Sequence, residues 1–264
     1  MNISKNIILK LLNKKSNILN NHNFDKNSIL IYGYHACKSA IENSNREKTF
    51  VFTTNSKYDY WKELIKANEL NLKIIRVQEK DLDIITRNSV HQNIVVLAKQ
   101  LTKIKLSQYL KTNKSDSLKL ILLDQVYDPQ NIGSIIRSAF AFRFDAIGLL
   151  KNRSPFETSS IIKASSGEIE RITLIELGNL INEINLLKSE GFYTYGLAKD
   201  GKYNIKNLNT EDKRIALVLG SENKGLRQLT VRNLDKVFYI PINKNCDSIN
   251  ASNAAAIAMY ILGK

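Results

Sequence analysis

Three short stretches of this chain of 264 residues gather polar groups where apolar runs end. The first is LKLILLDQVYDPQNIGSIIR, residues 118–137. Asp128 and Pro129 are suited to open a helix, with Asn131 and Gly133 in its first turns. Ile132, Ile135, Ile136 and Ala139 repeat at helical spacing and make a buried stripe, while Gly133 and Arg137 lie four apart on another face. Arg137 then projects from the exposed end of the element, either into a surface salt bridge beside capping residues or into one wall of a site. The second stretch is LVLGSENKGL, residues 217–226, where Gly220 lets backbone N–H and C=O groups approach a ligand. Glu222 is expected at a helix start, where it either serves a ligand or merely favours the helix dipole. A phosphate loop needs Lys and then Ser or Thr after its second glycine, but Leu226 and Arg227 follow Gly225, so an ATP site is excluded. GxGxxG is absent as well, which removes the dinucleotide fingerprint. The third stretch is FYIPINKNCDSINASNAAAIAMY, residues 238–260. Helix capping explains Ser248 or Asn250. It explains neither the length of the polar loop nor the narrow helix made by Ala251, Ala254, Ala255, Ala256 and Ala258.

The elements that must position these residues alternate along the chain. Strands are predicted at residues 118–124, 145–150, 170–177, 191–197, 214–220 and 236–242, with helices between most of them. This is the pattern of an α/β protein with a mainly parallel, doubly wound sheet, which takes ligands at the carboxyl ends of its strands. All three polar stretches lie at such ends. An earlier compact α/β unit is predicted over residues 28–99, from strands at SILIYG, TFVFTT, LKIIRV and NIVVLAK with helices between them. Residues 100–116 read as a linker, and residues 117–264 as the second domain. Residues 1–27, acid-free up to Asp25, read as a flexible basic tail, either without a role or in non-specific RNA contact.

Lys and Arg outnumber Asp and Glu by 39 to 25, a formal charge of +14, which favours nucleic acid as partner over a merely lysine-coated surface. Cys37 and Cys246 stand far apart without a CxxC, and no carboxylates or histidines cluster. Neither a disulfide framework nor a metal site is therefore expected, which suits a cytoplasmic protein. A membrane span is not expected, because no apolar run reaches about 18 residues.

In this order the three stretches resemble the three sequence motifs of the SpoU, or TrmH-like, family of RNA ribose 2'-O-methyltransferases, over nearly all of residues 118–264. The resemblance implies a fold of the SPOUT type with a C-terminal trefoil knot, S-adenosylmethionine as cofactor, and a homodimer. It implies Arg137 as the central catalytic residue, with Asn131, Glu222, Ser248 and Asn250 around it, and backbone contacts to the cofactor from Gly220, Ile240 and Ile249. Arginine is almost never deprotonated, so Arg137 is first a fork for RNA phosphate and second a proton acceptor. Glu222 pairs with Arg137 or binds the ribose hydroxyl. The dimer interface is expected on the helix from Ala251 to Leu262, through Ile257, Tyr260 and Ile261. IYGYHACKSAIENS and SVHQNIVV resemble the two ends of the substrate-binding domain carried by a subset of the family, which includes the enzyme for a guanosine of 23S ribosomal RNA. A transfer-RNA methyltransferase of the same family and a non-catalytic, ribosome-associated RNA-binding protein are the alternatives. Asn93 and Lys244 depart from glycines of the family pattern, at the RNA-contacting edge and in the third loop. His35 and His91 read as hydrogen-bonded histidines of a folded domain.

Overall fold

A computed structural model describes residues 27–151, 156–208, 213–222 and 224–263, so the expected tail at 1–27 lies almost wholly outside the described residues. The chain divides into two compact units, Met1–Leu101 and Thr102–Lys264.

The first unit runs β1 (Ser28–Tyr32), α1 (Tyr34–Glu42), β2 (Lys48–Thr53), α2 (Tyr58–Ala67), β3 (Lys73–Arg76), α3 (Glu79–Thr86) and β4 (Ile94–Lys99). Its sheet has the order β1-β4-β2-β3; β4 is antiparallel to both neighbours, and β2 pairs β3 in parallel. Phe50, Phe52, Ile75, Val95 and Leu97 form the core with Leu82 and Ile85 of α3. His91 is a folded-domain histidine: its Nε2 lies 3.0 Å from Asp83 Oδ1, and its Nδ1 accepts from Asn93 N at 3.1 Å. Gln92 and Asn93 sit in the left-handed region at φ 54° and 65°. Glycine is at home in that conformation and asparagine tolerates it, which accounts for Asn93 at a glycine position.

The second unit runs β5 (Ile104–Lys105), α4 (Leu106–Thr112), β6 (Leu118–Asp124), α5 (Pro129–Ala141), β7 (Ala146–Leu150), α6 (Ser159–Ala164), β8 (Thr173–Leu177) and α7 (Leu180–Ser189). It continues with β9 (Tyr193–Leu197), β10 (Tyr203–Asn204), β11 (Arg214–Gly220), α8 (Gln228–Asn233), β12 (Lys236–Tyr239) and α9 (Ala251–Leu262). The described strands form one sheet in the order β10-β12-β9-β11-β6-β7-β8-β5, parallel throughout. Parallel strands buried on both faces need near-continuous apolar sequence, which β6 and β11 supply. On one face Leu120, Leu122, Ala216 and Val218 pack with Leu110 of α4, Ile184 of α7 and Leu234, which follows α8. The alternate residues Ile121, Leu123, Leu217 and Leu219 are also buried, on the face where α5, α6 and α9 pack together.

From Thr102 onward the segment read as a linker is part of this unit. Residues 100–116 contain β5, which pairs β8, and α4, whose Leu106, Tyr109 and Leu110 are buried in the core. Its apolar residues are too few and too short-spaced to register as a periodic run, yet three of them anchor the helix. The strand expected over 236–242 ends at Tyr239, because Pro241 has no N–H to give a ladder.

Candidate active site

Order in the sheet reverses between β6 and β11: the chain moves outward through β7 and β8, then crosses to β9 on the other side. Loops leaving neighbouring strands in opposite directions open a crevice at such a switch point. Here the last residues of the two strands are partners in the ladder, Asp124 with Gly220. Asp124 is fully buried; its Oδ2 accepts from Thr230 Oγ1 at 2.7 Å and Arg227 N at 3.4 Å, and its Oδ1 lies 2.8 Å from Arg227 Nε. The carboxylate thus ties the far end of the 221–227 loop to the end of β6. Residue types at this spacing gave no hint of the tie, since Asp124 and Thr230 are 106 positions apart.

Between the strand ends, the loop after Gly220 folds back on itself, with Ser221 and Gly225 paired in an antiparallel bridge. A Cβ at residue 220 would stand 2.1 Å from the Gly225 carbonyl carbon and 2.3 Å from Leu226 N, so only glycine fits. Glu222 is in this tight turn and not at a helix start, because α8 begins only at Gln228. Its carboxylate therefore does not serve a helix dipole. Instead Oε1 accepts a hydrogen bond of 2.6 Å from Asn131 Nδ2.

Asn131 is held by α5, which Asp128 caps by accepting from Gln130 N at 3.0 Å, with Pro129 in the first turn. Buried to 7% exposure, Asn131 also accepts at Oδ1 from Asn250 Nδ2 at 2.9 Å. Asn250 caps α9, its Oδ1 accepting from Ser252 N at 2.8 Å and Ser252 Oγ at 2.6 Å. The chain of bonds has one direction. A backbone N–H only donates and an ionised carboxylate only accepts, so both amides are fixed in orientation between them. One hydrogen-bonded line thus joins the three motif stretches.

Beside it lies a cavity of about 790 Å³, within the usual range for small-molecule sites. Its walls include Leu219, Gly220, Leu226, Ile240, Ser248 and Ile249. Ile240 and Ile249 stand outside the flanking β12 and α9, where their backbone groups belong to neither ladder nor helix. Gly220, Ile240 and Ile249 are thus brought together, as are Asn131, Glu222 and Asn250. Ser248 lines the cavity but is exposed; among the described residues its carbonyl alone is engaged, by Cys246 Sγ at 3.3 Å. Arg137 is exposed on α5 and has no ion pair or hydrogen bond among the described residues; it does not pair with Glu222. Gly133 does not share its open face. A Cβ there would meet Ala164 Cβ at 2.4 Å, so the glycine admits α6 against α5. Lys244 lies on the cavity wall without a left-handed backbone, so nothing in the third loop requires glycine there. Ala255 and Ala258 face inward with Met259 and Leu262, leaving Ile257 and Tyr260 exposed at 39% and 54%. Among the described residues no group of His, Cys, Asp and Glu could hold a metal ion, and no helix is long and apolar enough to cross a membrane.

A doubly wound α/β unit with a glycine-walled cavity and an amide relay at its switch point defines a class of ligand-binding proteins that comparison makes specific. Residues 119–260 match the SpoU rRNA Methylase family, and residues 30–103 match RNA 2'-O ribose methyltransferase substrate binding. The chain belongs to the SpoU family of RNA methylases. It is 34% identical over 203 residues to an uncharacterized tRNA/rRNA methyltransferase of Borreliella burgdorferi, covering 74% of this chain and 88% of that one. A Staphylococcus aureus protein assigned to the TrmH family of tRNA/rRNA methyltransferases is 32% identical, over 88% of this chain and 94% of its own. In fold the chain resembles an AdoMet-bound rRNA methyltransferase from Sinorhizobium meliloti, with TM-score 0.77, 21% identity, and 99% and 94% of the two chains covered. It also resembles the SpoU methyltransferase AviRb from Streptomyces viridochromogenes in complex with AdoMet, with TM-score 0.76, 18% identity, and 90% and 89% covered.

Proposed function

We propose that this protein methylates a ribose 2'-hydroxyl in RNA, using S-adenosylmethionine bound in the cavity beside the relay. The observation that carries the reading is the line of bonds from Glu222 through Asn131 to Asn250, set against a wall that only glycine can form. The cavity suits that cofactor: Leu219, Leu226, Ile240 and Ile249 offer apolar surface to a purine, Gly220 brings bare backbone to the wall, and the backbone groups of Ile240 and Ile249, outside strand and helix, would offer hydrogen bonds to its polar edge. When bound, S-adenosylmethionine supplies an electrophilic methyl group on a sulfonium.

The protein's own residues then align the acceptor. Asn131 occupies Oε1 of Glu222, which leaves Oε2 to accept from the ribose hydroxyl and hold its proton. Arg137, exposed and without a hydrogen bond or ion pair among the described residues, grips a phosphate with its planar fork and fixes the ribose. Ser248, on the cavity wall, would add its hydroxyl to the contacts with ribose or cofactor. Alignment of this kind supplies several kcal/mol, about 7–11 in the most favourable intramolecular cases.

The substrate we favour is a guanosine of 23S ribosomal RNA, because a substrate-binding unit precedes the catalytic one. We further propose a trefoil knot in the C-terminal part of the chain and a homodimer, whose interface would cover Ile257 and Tyr260 on α9. Light scattering that returns an active monomer at micromolar concentration would contradict the dimer. Labelled S-adenosylmethionine incubated with separated large-subunit, small-subunit and transfer RNA tests the substrate. Label in the large-subunit RNA is expected. Label confined to transfer RNA would overturn the substrate, and label in none of them the activity.

A further inference from the structure

One end of the first unit's sheet collects aromatic side chains that its core does not need. The ladder places the carboxyl ends of β1, β2 and β3 and the amino end of β4 in one row: Tyr32 opposite Val95, Thr53 opposite Ile94, and Arg76 opposite Thr53. Three interstrand spacings make that row about 14 Å wide. Helices α1 and α2 begin at this end, so Tyr34, His35, Tyr58 and Tyr60 all emerge there. The Tyr34 and Tyr60 hydroxyls are hydrogen-bonded to each other, and both rings rest on buried Trp61, at centroid distances of 5.5 and 5.0 Å. His35 stands edge-on to Tyr34, and the Arg76 guanidinium lies 3.8 Å over the Tyr58 ring.

Two hydrogen bonds tie this end of the sheet to the turn before β4. Tyr34 N donates to Gln92 Oε1 at 2.7 Å, and Thr53 Oγ1 donates to the Asn93 carbonyl at 2.8 Å, so the two left-handed residues brace both sides of the row. Much of this end is open to solvent: Tyr60 is 43% exposed, His35, Lys57 and Arg76 are exposed, and Tyr34 and Tyr58 are half-buried. A surface for holding phosphates alone would be cationic throughout. This one sets Asp59 between Tyr58 and Tyr60, and Glu63 one turn on. Asp59 and Glu63 dilute the charge of the basic residues around them, and what the surface offers beyond charge is aromatic area, with the Arg76 plane already stacked on Tyr58. Bases inside a duplex present no face to such a surface, whereas unpaired bases of a loop or bulge do.

We propose that this strand-end surface, with Arg76 over Tyr58 on one side of the start of α2 and Tyr60 against Tyr34 on the other, is a stacking platform for unpaired bases of the RNA, so that the first unit selects loops over duplex. The inference rests on the reading of the chain as an RNA methyltransferase and adds the structural class of RNA that it takes. Its test uses the full chain, a stem–loop RNA, and a blunt duplex of the same length and composition. Trp61 is the only tryptophan, and its emission should change when a base stacks on the adjoining Tyr60. The stem–loop should bind more tightly than the duplex. Tyr58→Ala should weaken stem–loop binding roughly tenfold, the scale of one lost base stack, and leave the duplex unaffected. Tyr58→Phe, which keeps the ring, should restore the affinity. Equal losses on stem–loop and duplex, unchanged binding in Tyr58→Ala, or failure of Tyr58→Phe to restore it would overturn the platform. Methyl transfer by the wild-type chain is scored separately. A protein that methylates RNA yet ignores Tyr58→Ala refutes the platform alone, and one that shows Tyr58-dependent loop binding without methylation refutes the proposed activity alone.

Discussion

Asn131→Asp is isosteric, so it removes one property of the relay and leaves packing in place. The amide donates to Glu222 Oε1 across 2.6 Å; a carboxylate there cannot. A hydrogen bond to a charged group is worth about 1.5–3 kcal/mol. Two unit charges at that separation repel by about 6 kcal/mol at an effective dielectric of about 20, and by about 1.6 kcal/mol in bulk water. Asn131 is buried but Glu222 is exposed and free to turn away, so the repulsion should settle near the lower figure. A total loss of about 3–5 kcal/mol at neutral pH follows. The loss should depend on pH with a definite sign. A proton shared by the pair restores the donor, and the folded state keeps that proton to higher pH than the unfolded chain, whose carboxyls titrate near 4. Stability relative to wild type should therefore be nearly recovered around pH 4 and lost as pH rises. Urea midpoints followed by circular dichroism at acidic and neutral pH measure this. A penalty equal at both pH values, or none at all, would refute the relay.

Arg137→Lys keeps the charge and touches none of the helix's buried stripe, so stability should shift by less than about 1 kcal/mol. Cofactor affinity by calorimetry should be unchanged, while single-turnover methylation should fall by roughly a hundredfold. Gly220→Ala forces a Cβ to within 2.1 Å of the Gly225 backbone, so the loop must shift. Denaturation should show a loss of about 1–3 kcal/mol, together with a marked fall in cofactor affinity. Burial, then the Asp145 charge, pushes the Tyr109 phenol up to about 12. The folded state thus holds its proton where the unfolded chain releases it near 10, and stability should fall as pH rises from about 10 to 12. Tyr109→Phe should remove that step in the midpoint against pH.

The parallel sheet was legible because β6, β7 and β11 are buried on both faces and so are written as continuous apolar runs. β5 and β10, of two residues each, carry no such signal. Asp128, Pro129 and Asn250 were readable as capping residues because capping is a local interaction. That Asn250 also donates to Asn131, 119 positions away, is a property of the folded topology. Glu222 was misplaced at a helix start for the same reason: the turn that holds it is closed by the Ser221 and Gly225 pairing and by Asp124 on another strand. The glycines were legible as glycines but not as reasons. Gly220 serves a loop folded over it and Gly133 a neighbouring helix, and only contacts across the fold tell the two apart.

The central claim, methyl transfer to a ribose hydroxyl, is tested most directly by where the label sits. A 2'-O-methyl group removes the hydroxyl that alkali needs in order to cleave the next phosphodiester. RNA labelled by the wild-type protein with methyl-labelled S-adenosylmethionine should therefore give its label in an alkali-resistant dinucleotide. Label recovered in alkali-released mononucleotides would place the methyl on a base and contradict the account.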